Sequence, residues 1–442
     1  MENFLPNKKD MSSDIGKTLY GWVKDLYPIN RSLTGPGVRE TLAYLKKLLP
    51  ELTVHEVPSG TAAFDWTVPD EWTMRDGYIE DESGTRLVDF KQNNLHVIGY
   101  SEPVDIWLNR YELEPYLYSL PDQPNAIPYI TSYYARRWGF CLTHNQRLAL
   151  ESGRYHAVID SVLKPGVMNY AELILPGQTD KEVLLSTYIC HPSMANNELS
   201  GIAVTTALVQ WLKSLEGRRY TYRILFVPET IGSIVYLSQN IEHLKRQVIA
   251  GFNITCIGDD RCYSYLPSRK EDTLSDQVAQ HILEHTDANF KRYSWLDRGS
   301  DERQYCAPGV DLPIATIMRS KYGEYPQYHT SLDNLDLVTP SGLEGGFIAL
   351  RRAIEIIEQN IKLETRVLCE PQLGKRGLYP TLSTKDSNEW VKSMMDIITY
   401  SDGSHTLLDI ADQIGKAFWD LLPIVDSLIQ NQVLVKTFPE KT

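Results

Sequence analysis

The feature that most constrains the fold is a regular alternation of strand-like and helical segments between about residues 155 and 365. Parallel strands need long crossover connections, which helices provide. The pattern therefore predicts an α/β domain with a largely parallel sheet and helices on both faces, whose ligands bind at the carboxyl ends of the strands. The apolar strand-like runs are 155–163, 170–177, 182–190, 222–228, 248–258 and 312–318, and helical periodicity covers 200–215, 233–246, 273–287 and 341–360.

The amino-terminal part of the chain predicts a second, inserted domain. Residues 15–27 and 38–49 have helical spacing of apolar residues. Residues 63–154 are instead rich in Trp, Tyr, Pro and Asp and show weak helical periodicity, which is typical of a small β-rich module. An elaborate loop region is the alternative, although it would be unusually long. We therefore assign 1–62 and 155–368 to one discontinuous α/β domain and 63–154 to an inserted β-rich domain.

The last part of the chain, residues 375–442, predicts a winged-helix domain. Three short helical patterns there are followed by a strand-like run, VLVKTF. Between residues 381 and 442 there are 5 basic and 9 acidic residues. A domain that binds DNA normally concentrates positive charge, because phosphate contacts supply most of the affinity. The composition favours a protein partner or a scaffold role over nucleic acid.

The composition of the whole chain favours a cytoplasmic protein that does not span a membrane. The chain has 442 residues and a formal net charge of −13. It contains no apolar run of 18 residues, and its first residues lack the apolar core of a signal peptide. Its six cysteines have no CxxC spacing, which fits reduced thiols in a cytoplasm.

Polar residues that can hold a metal follow several of the predicted strands. His191 and Asn197 follow one strand, Glu229 the next and Asp259 a third, and His329 lies in a later loop. Two imidazoles and a carboxylate are suitable zinc ligands. Each residue also has a simpler interpretation: His191 as a surface ring beside a capped turn, His329 as a loop residue bonded to backbone, and Glu229 as a helix-start glutamate. Because the carboxyl ends of parallel strands meet at one edge, we expect these side chains to converge.

Four segments resemble the zinc aminopeptidase family with a phosphorylase/hydrolase-like α/β/α fold, whose members usually bind two zinc ions. They are STYICHPSMANNELSG, FVPETIG, GSDERQYC and PQYHTSLD. The whole chain is similar to a bacterial group of uncharacterised aminopeptidase-like proteins that are associated with polysaccharide biosynthesis. The resemblance implies a three-layer α/β/α domain with an inserted β-rich domain and a C-terminal winged helix. It also implies that His191 and His329 are zinc ligands and that Glu229 is the general base.

The resemblance fails at four acidic positions of the family's metal site. Asn197 stands where the family has its bridging aspartate, and Thr230, Thr255 and Ser193 replace three further acids. Two zinc ions held by two imidazoles and an amide would repel each other without charge compensation. We therefore predict at most one Zn²⁺, bound by His191, His329 and a carboxylate. Asp259 is the tentative third ligand, and Glu229 is the alternative at the cost of its role as base.

The resemblance and the charged residues nearby suggest a substrate pocket and three possible functions. The candidate pocket residues are Asp301, Arg298, Arg303 and Tyr328. The first hypothesis is an amide-bond hydrolase, perhaps an aminopeptidase acting on a small peptide. The second is an enzyme of surface-polysaccharide metabolism acting on an amino-sugar derivative, and the third is a catalytically silent binding or scaffold protein.

We expect the C-terminal domain to bind no DNA by itself, because it carries 5 basic against 9 acidic residues. A gel-shift experiment with residues 375–442 at physiological salt tests this expectation. Tight binding that weakens as the salt concentration rises would contradict it.

Overall fold

The computed structural model describes residues 14–378 and 385–437. The α-helices are α1 (Ile15–Leu26), α2 (Pro36–Leu48), α3 (Arg110–Leu113), α4 (His144–Ala149), α5 (Ser200–Ser214), α6 (Ile231–Gln247), α7 (Leu274–Glu284), α8 (Glu302–Tyr305), α9 (Pro340–Gln359), α10 (Lys385–Tyr400), α11 (Leu407–Ile414) and α12 (Phe418–Gln430).

The β-strands fall into one large sheet and several small ones. They are β1 (Thr53–Pro58), β2 (Ala62–Ala63), β3 (Trp66–Thr67), β4 (Glu71–Asp81), β5 (Arg86–Asp89), β6 (Val104–Asn109), β7 (Leu117–Tyr118), β8 (Phe140–Cys141), β9 (Arg154–Lys164), β10 (Val167–Leu175), β11 (Glu182–Tyr188), β12 (Thr221–Val227), β13 (Val248–Asn253), β14 (Ser264–Leu266), β15 (Lys291–Arg292), β16 (Ile314–Met318), β17 (Lys362–Thr365), β18 (Asp402–Thr406) and β19 (Leu434–Thr437).

The large sheet has eight strands in the order β1-β10-β12-β11-β13-β16-β14-β15. The four central strands β12, β11, β13 and β16 are parallel, and β11 is buried at every position. Helices α5 and α6 follow β11 and β12 in the chain. The predicted α/β architecture is therefore confirmed, and the carboxyl ends of β11, β12 and β13 lie at one edge of the sheet.

The sheet is mixed rather than largely parallel. Strand β10 is antiparallel to β1 and β12, and β14 is antiparallel to β16. Only a short segment without a helix joins β10 to β11. Because a parallel neighbour needs a long crossover, such a short connection reverses the chain direction. The alternating pattern correctly predicted the central strands but not the direction of the strands around them.

The strand predicted at 155–163 forms, but it belongs to a different sheet. Strand β9 pairs with β4 and β6 in a four-stranded sheet of order β5-β4-β9-β6. Its assignment to the alternating α/β pattern was therefore wrong. The cause is that β9 and β10 are both apolar runs separated by a two-residue turn, and periodicity does not reveal which partner each strand has. The predicted domain limits themselves stay a prediction.

The chain divides into two compact units. The first comprises the described residues of 14–276 and 289–350, and the second those of 277–288 and 351–437. In the second unit β17 pairs antiparallel with both β18 and β19, and α10, α11 and α12 accompany this small sheet. Thr406 begins α11 by accepting a hydrogen bond from the backbone N–H of Asp409.

Within the described ranges, none of the helices combines the length and the apolar content that a membrane span requires.

The start of helix α5 lies directly against the large sheet. A Cβ atom on Gly201 would lie 2.4 Å from the carbonyl oxygen of Ile254 and 2.7 Å from Oγ1 of Thr187. Only a residue without a side chain allows this close approach. Gly201 therefore fixes the start of α5, and with it the preceding loop, against the ends of β11 and β13.

We expect Gly201→Ala to lower the free energy of unfolding by about 1–3 kcal/mol, since overpacking forces the backbone to shift. Gly153→Ala is the matched control, because Gly153 is exposed and no atom lies within 4 Å of its added Cβ. Its effect should stay within about 0.5 kcal/mol. Denaturant unfolding of both variants measures the difference, and equal effects would contradict the proposed close contact.

Candidate metal centre

The candidate residues lie where the central strands end. His191 follows β11, Glu229 and Thr230 follow β12, and Thr255 follows β13. Several non-glycine residues in the loops that follow the central strands have positive φ angles, namely Ser193 (47°), Thr230 (65°), Cys256 (50°) and, in the loop after β16, His329 (52°). Such conformations are costly and persist where the surrounding structure enforces them, often at functional sites.

A buried chain of charged groups orients His191. The Glu198 carboxylate accepts a hydrogen bond of 2.7 Å from Nε of Arg31, and neither side chain is exposed to solvent. It also accepts hydrogen bonds from the backbone N–H groups of Cys190 and His191 and from Nδ1 of His191 at 3.1 Å. Because a carboxylate only accepts, Nδ1 carries the proton and the lone pair of the neutral ring is on Nε2.

The backbone around Glu198 explains how it reaches His191. Residues Ala195–Leu199 form a turn of π-helix immediately before α5. Such turns are rare and occur frequently at functional sites. The wider turn brings the Glu198 side chain back to the end of the strand that precedes His191.

His191, Glu229 and His329 lie close together. Nε2 of His191 is 3.7 Å from Oε2 of Glu229, and the ring centres of His191 and His329 are 5.3 Å apart. The ring of Tyr328 stacks on His329 at 3.9 Å, and the ring of Tyr129 approaches both histidines at 5.1–5.2 Å. The structure therefore brings together three of the predicted site residues.

The two histidines of this cluster differ in their affinity for a proton. Burial and the neighbouring His191 lower the pKa of His329 to about 3, so its imidazole is neutral near pH 7. Burial lowers the pKa of His191, but the hydrogen bond to Glu198 and the charge of Glu229 outweigh this effect and raise it. Burial raises the pKa of Glu229, which His191 and Arg303 only partly offset.

The chemistry of these residues fits one zinc ion. Nε2 of His329 is buried and finds no hydrogen-bond partner among residues 14–378 and 385–437. A buried polar atom without a partner is costly unless a ligand satisfies it. Two ligands about 2.0–2.1 Å from a tetrahedral zinc lie about 3.3 Å apart, close to the observed separation of His191 and Glu229. Nε2 of His191 and Nε2 of His329 are thus suitable zinc ligands, and the Glu229 carboxylate lies at a distance that permits either a third ligand bond or proton transfer from a bound water.

A second group of ligand atoms surrounds the other nitrogen of His191. Atoms of Cys190, His191 and Glu198 lie within 4.8 Å of one another. However, Glu198 already forms a buried ion pair with Arg31 and several further hydrogen bonds. Burial also raises the pKa of the Cys190 thiol well above its usual value, which disfavours the thiolate that binds zinc. This group is better explained as the support of His191 than as a metal site.

The neutral residues that replace the family's acids are hydrogen-bonded within the protein. Oδ1 of Asn197 accepts a hydrogen bond from the Tyr188 hydroxyl at 2.8 Å. Its Nδ2, a donor, is buried without a partner in the described part of the chain. The Thr255 hydroxyl donates to the Asn197 carbonyl at 2.7 Å, and the Ser193 hydroxyl donates to the Tyr27 carbonyl at 3.0 Å. These neutral groups do not fit a second cation.

The Asp259 carboxylate joins three segments of the chain through hydrogen bonds. Its Oδ2 accepts from the Asn196 side chain at 3.0 Å, and the backbone and hydroxyl of Ser320 donate to its two oxygens at 2.9 Å each. The backbone N–H of Arg261 donates to Oδ1 at 2.9 Å. The carboxylate is thus fully hydrogen-bonded within the protein, and its tentative role as a ligand stays a prediction.

A cleft of about 270 Å³ opens beside Glu229. Of the predicted pocket residues, Arg303 lines it and its Nη2 donates to the Thr230 hydroxyl at 3.2 Å. Arg298 is instead exposed and lies over the Trp295 ring at 5.2 Å. The cleft is lined by Leu33, Trp66, Tyr133, Tyr134, Cys190, Glu229, Thr230, Ile231 and Arg303.

Asp301 lies behind the cleft and supports Glu229. Its Oδ1 accepts hydrogen bonds from the Thr230 backbone N–H at 2.7 Å and the Ser233 hydroxyl at 2.8 Å. Its Oδ2 is buried and has no partner in the described residues. Burial and the nearby Glu229 raise the pKa of Asp301 to about 7. Two neighbouring carboxyl groups with raised pKa values are typical of sites that transfer protons.

Several residues of the site were missed by the sequence analysis. Glu198 and Arg31 orient His191, and Tyr129, Tyr133 and Trp66 from the predicted insertion contribute to the metal centre and the cleft. The position of Glu198 next to Asn197 and the tyrosine-rich segment 128–134 were visible in the sequence. In the sequence, Arg31 lies 167 residues from Glu198 and Tyr129 lies far from both histidines, so no local pattern links them.

Comparisons with known proteins support the fold. A protein of Clostridium acetobutylicum, whose name describes polysaccharide biosynthesis and an aminopeptidase-like domain, is 41% identical over 96% of this chain and 97% of its own length. A crystal structure described as a peptidase from the same organism has a TM-score of 0.91 at 40% identity and covers 96% of this chain and 97% of that chain. The zinc aminopeptidase of Bacillus subtilis has a TM-score of 0.55 at 11% identity, covering 77% of this chain and 93% of its own, which shows the fold alone.

Two protein families account for the sequence. A family described as a domain of unknown function (DUF4910) matches residues 20–360, and a winged helix-turn-helix family matches residues 360–436. The second match begins just before β17, in agreement with the pairing of β17 with β18 and β19. The expected resemblance and the winged helix are confirmed, and the chain belongs to the DUF4910 family, with the fold of the zinc aminopeptidases and a C-terminal winged helix-turn-helix domain.

Proposed function

We propose that the protein is a metal-dependent hydrolase of amide bonds that uses a single zinc ion. The observation that supports this proposal is the convergence of Nε2 of His191, the Glu229 carboxylate and the unpartnered Nε2 of His329. The neutral hydrogen-bonded groups at Asn197, Thr255 and Ser193 support one ion rather than two.

The residues around the proposed ion have different roles in the proposed hydrolysis. A bound zinc ion supplies Lewis-acid chemistry that lowers the pKa of water to about 7. Glu229 is the proton acceptor in this proposal, because its carboxylate lies 3.7 Å from Nε2 of His191 and burial raises its pKa, which makes it a stronger base. Asp301 holds the backbone of Thr230 and thereby fixes the neighbouring Glu229 beside His191.

The cleft supports a substrate with both apolar and polar groups. The rings of Trp66 and Tyr134 meet edge to face at 5.7 Å, and both are exposed at the opening. Aromatic rings with a polar edge pack against amphipathic molecules. Arg303 offers guanidinium donors to a carbonyl or an anionic group. A small peptide or an amino-sugar derivative fits this lining, and the name of the Clostridium relative favours the second.

We also propose that the winged helix contacts a protein partner and that the protein acts in the cytoplasm. The excess of acidic residues between 381 and 442 and the scattered cysteines support these proposals.

We expect the purified protein to bind one zinc ion per chain. His191→Ala and His329→Ala should each abolish this binding, because each removes one of the two imidazole ligands. Elemental analysis after dialysis against zinc-containing buffer measures the stoichiometry. His144→Ala is the control, since His144 bonds to Ser119 in the insertion and should leave the zinc content unchanged. Two bound ions in the wild-type protein would falsify the single-ion proposal.

We expect Glu229→Gln to retain zinc and to lose hydrolytic activity by about 100-fold or more, since an amide cannot accept the proton. Activity is measured with aminoacyl anilides and with N-acetylated amino sugars, which also distinguishes the two substrate classes. Loss of zinc in this variant would instead identify Glu229 as the third ligand and contradict its role as base.

A binding protein without catalytic activity is the second candidate. The observation that favours it is the replacement of four family acids by neutral residues that bond to the protein itself, as Asn197 and Thr255 do. The zinc measurement separates the two candidates, because the silent protein needs no metal.

A further inference from the structure

A second pocket, separate from the cleft beside Glu229, has the character of an anion site. Its volume is about 270 Å³. Arg261, Lys291 and Lys321 line it and carry three positive charges, against one negative charge from Glu324. The remaining lining residues are Cys262, Tyr293, Ser320, Tyr325 and Pro326. The net charge of the lining is 3 − 1 = +2, although the whole chain carries −13.

Lys321 is the residue that distinguishes this pocket from an ordinary basic surface. Only 5% of it is exposed. Its Nζ donates a hydrogen bond of 3.0 Å to the Tyr322 carbonyl and lies 4.5 Å and 5.1 Å from the ring centres of Tyr322 and Tyr293. In the described parts of the chain, no carboxylate lies within ion-pair distance of this ammonium group.

This environment leaves hydrogen-bond donors and the positive charge of the Lys321 ammonium group without a full set of partners. An ammonium group has three N–H donors, and the carbonyl of Tyr322 uses one of them. The two rings offset part of the cost of burial through cation–π attraction. A buried cation without a carboxylate partner is otherwise rare, because desolvation of the charge is costly. An anionic ligand in the pocket would supply the missing partner.

We propose that this pocket binds a phosphate monoester group. The dianion of a phosphate monoester carries about −1.5 to −2 charges near pH 7 and three acceptor oxygens. It therefore matches the net charge of the lining, whereas a carboxylate would leave a positive charge uncompensated. In this proposal Lys321 contacts the anion from the buried side of the pocket. The exposed side chains of Lys291 and Arg261 contact it from the opening.

The proposed site adjoins the segment that presents His329. Tyr325 lines the pocket, and its hydroxyl donates to Oδ2 of Asp333 at 2.9 Å. The ring of Tyr325 packs edge to face on Tyr328 at 5.7 Å, and Tyr328 stacks on His329. A phosphate bound here would therefore lie on the far side of these rings from the proposed metal centre.

Titration calorimetry of the intact protein with inorganic phosphate at pH 7.5 tests the proposal. We expect one phosphate per chain, with acetate binding at least about tenfold more weakly. Lys321→Met should weaken phosphate binding about tenfold or more, because it removes a charged hydrogen bond. Lys291→Ala and Arg261→Ala should each weaken it several-fold, and these exposed positions keep the test valid if Lys321→Met does not fold.

Two controls locate the binding. Lys47→Ala removes an exposed lysine elsewhere and should leave phosphate binding unchanged. His329→Ala should also leave it unchanged, which separates this pocket from phosphate bound at a metal ion. The proposal is overturned if phosphate does not bind, if the pocket variants bind it as the wild type does, if acetate binds equally well, or if His329→Ala abolishes binding.

Discussion

The candidate site depends on the hydrogen bonds that the buried Glu198 carboxylate accepts from Arg31 and His191. This carboxylate joins the guanidinium of Arg31 to Nδ1 of His191 and accepts backbone N–H groups at the end of β11. Removing one partner of such a buried ion pair costs about 3–5 kcal/mol, because it leaves a charge without compensation. The same contact selects the tautomer of His191 that directs a lone pair toward Glu229. Carboxylate–histidine pairs of this kind orient metal ligands in many proteins. The contacts of Glu198 therefore both stabilise the fold and orient His191.

The neutral residues beside His191 support the proposal of one ion rather than two. Asn197 and Thr255 bond to each other and to Tyr188, so the protein itself fills the place of a bridging carboxylate. The proposed ion would be held by the imidazoles of His191 and His329, with the Glu229 carboxylate beside it. A zinc ion held in this way would keep a position free for water or substrate, which is the arrangement that the proposed hydrolysis requires.

Sequence periodicity was sufficient to locate the helices and strands, but it did not show which strands pair with each other. It predicted α5, α6 and the central strands within a few residues, because apolar spacing reports which face of an element is buried. It did not show that β9 belongs to the small sheet or that β10 runs antiparallel to its neighbours, since strand pairing depends on residues distant in the sequence. Likewise, the resemblance indicated His191 and His329, and the structure brings them together. Arg31 and Tyr129 could not be found, because they reach the site only through the tertiary fold.

The most direct test of the account is a crystal structure of the zinc-soaked protein with anomalous diffraction at the zinc absorption edge. A single-ion site gives one anomalous peak, within about 2.0–2.2 Å of Nε2 of both His191 and His329. A second peak a few ångströms away, beside Asn197 and Thr255, would contradict it. A single peak at Sγ of Cys190 and Nδ1 of His191 would also contradict it, because Glu198 would then be a ligand rather than the support of the ring.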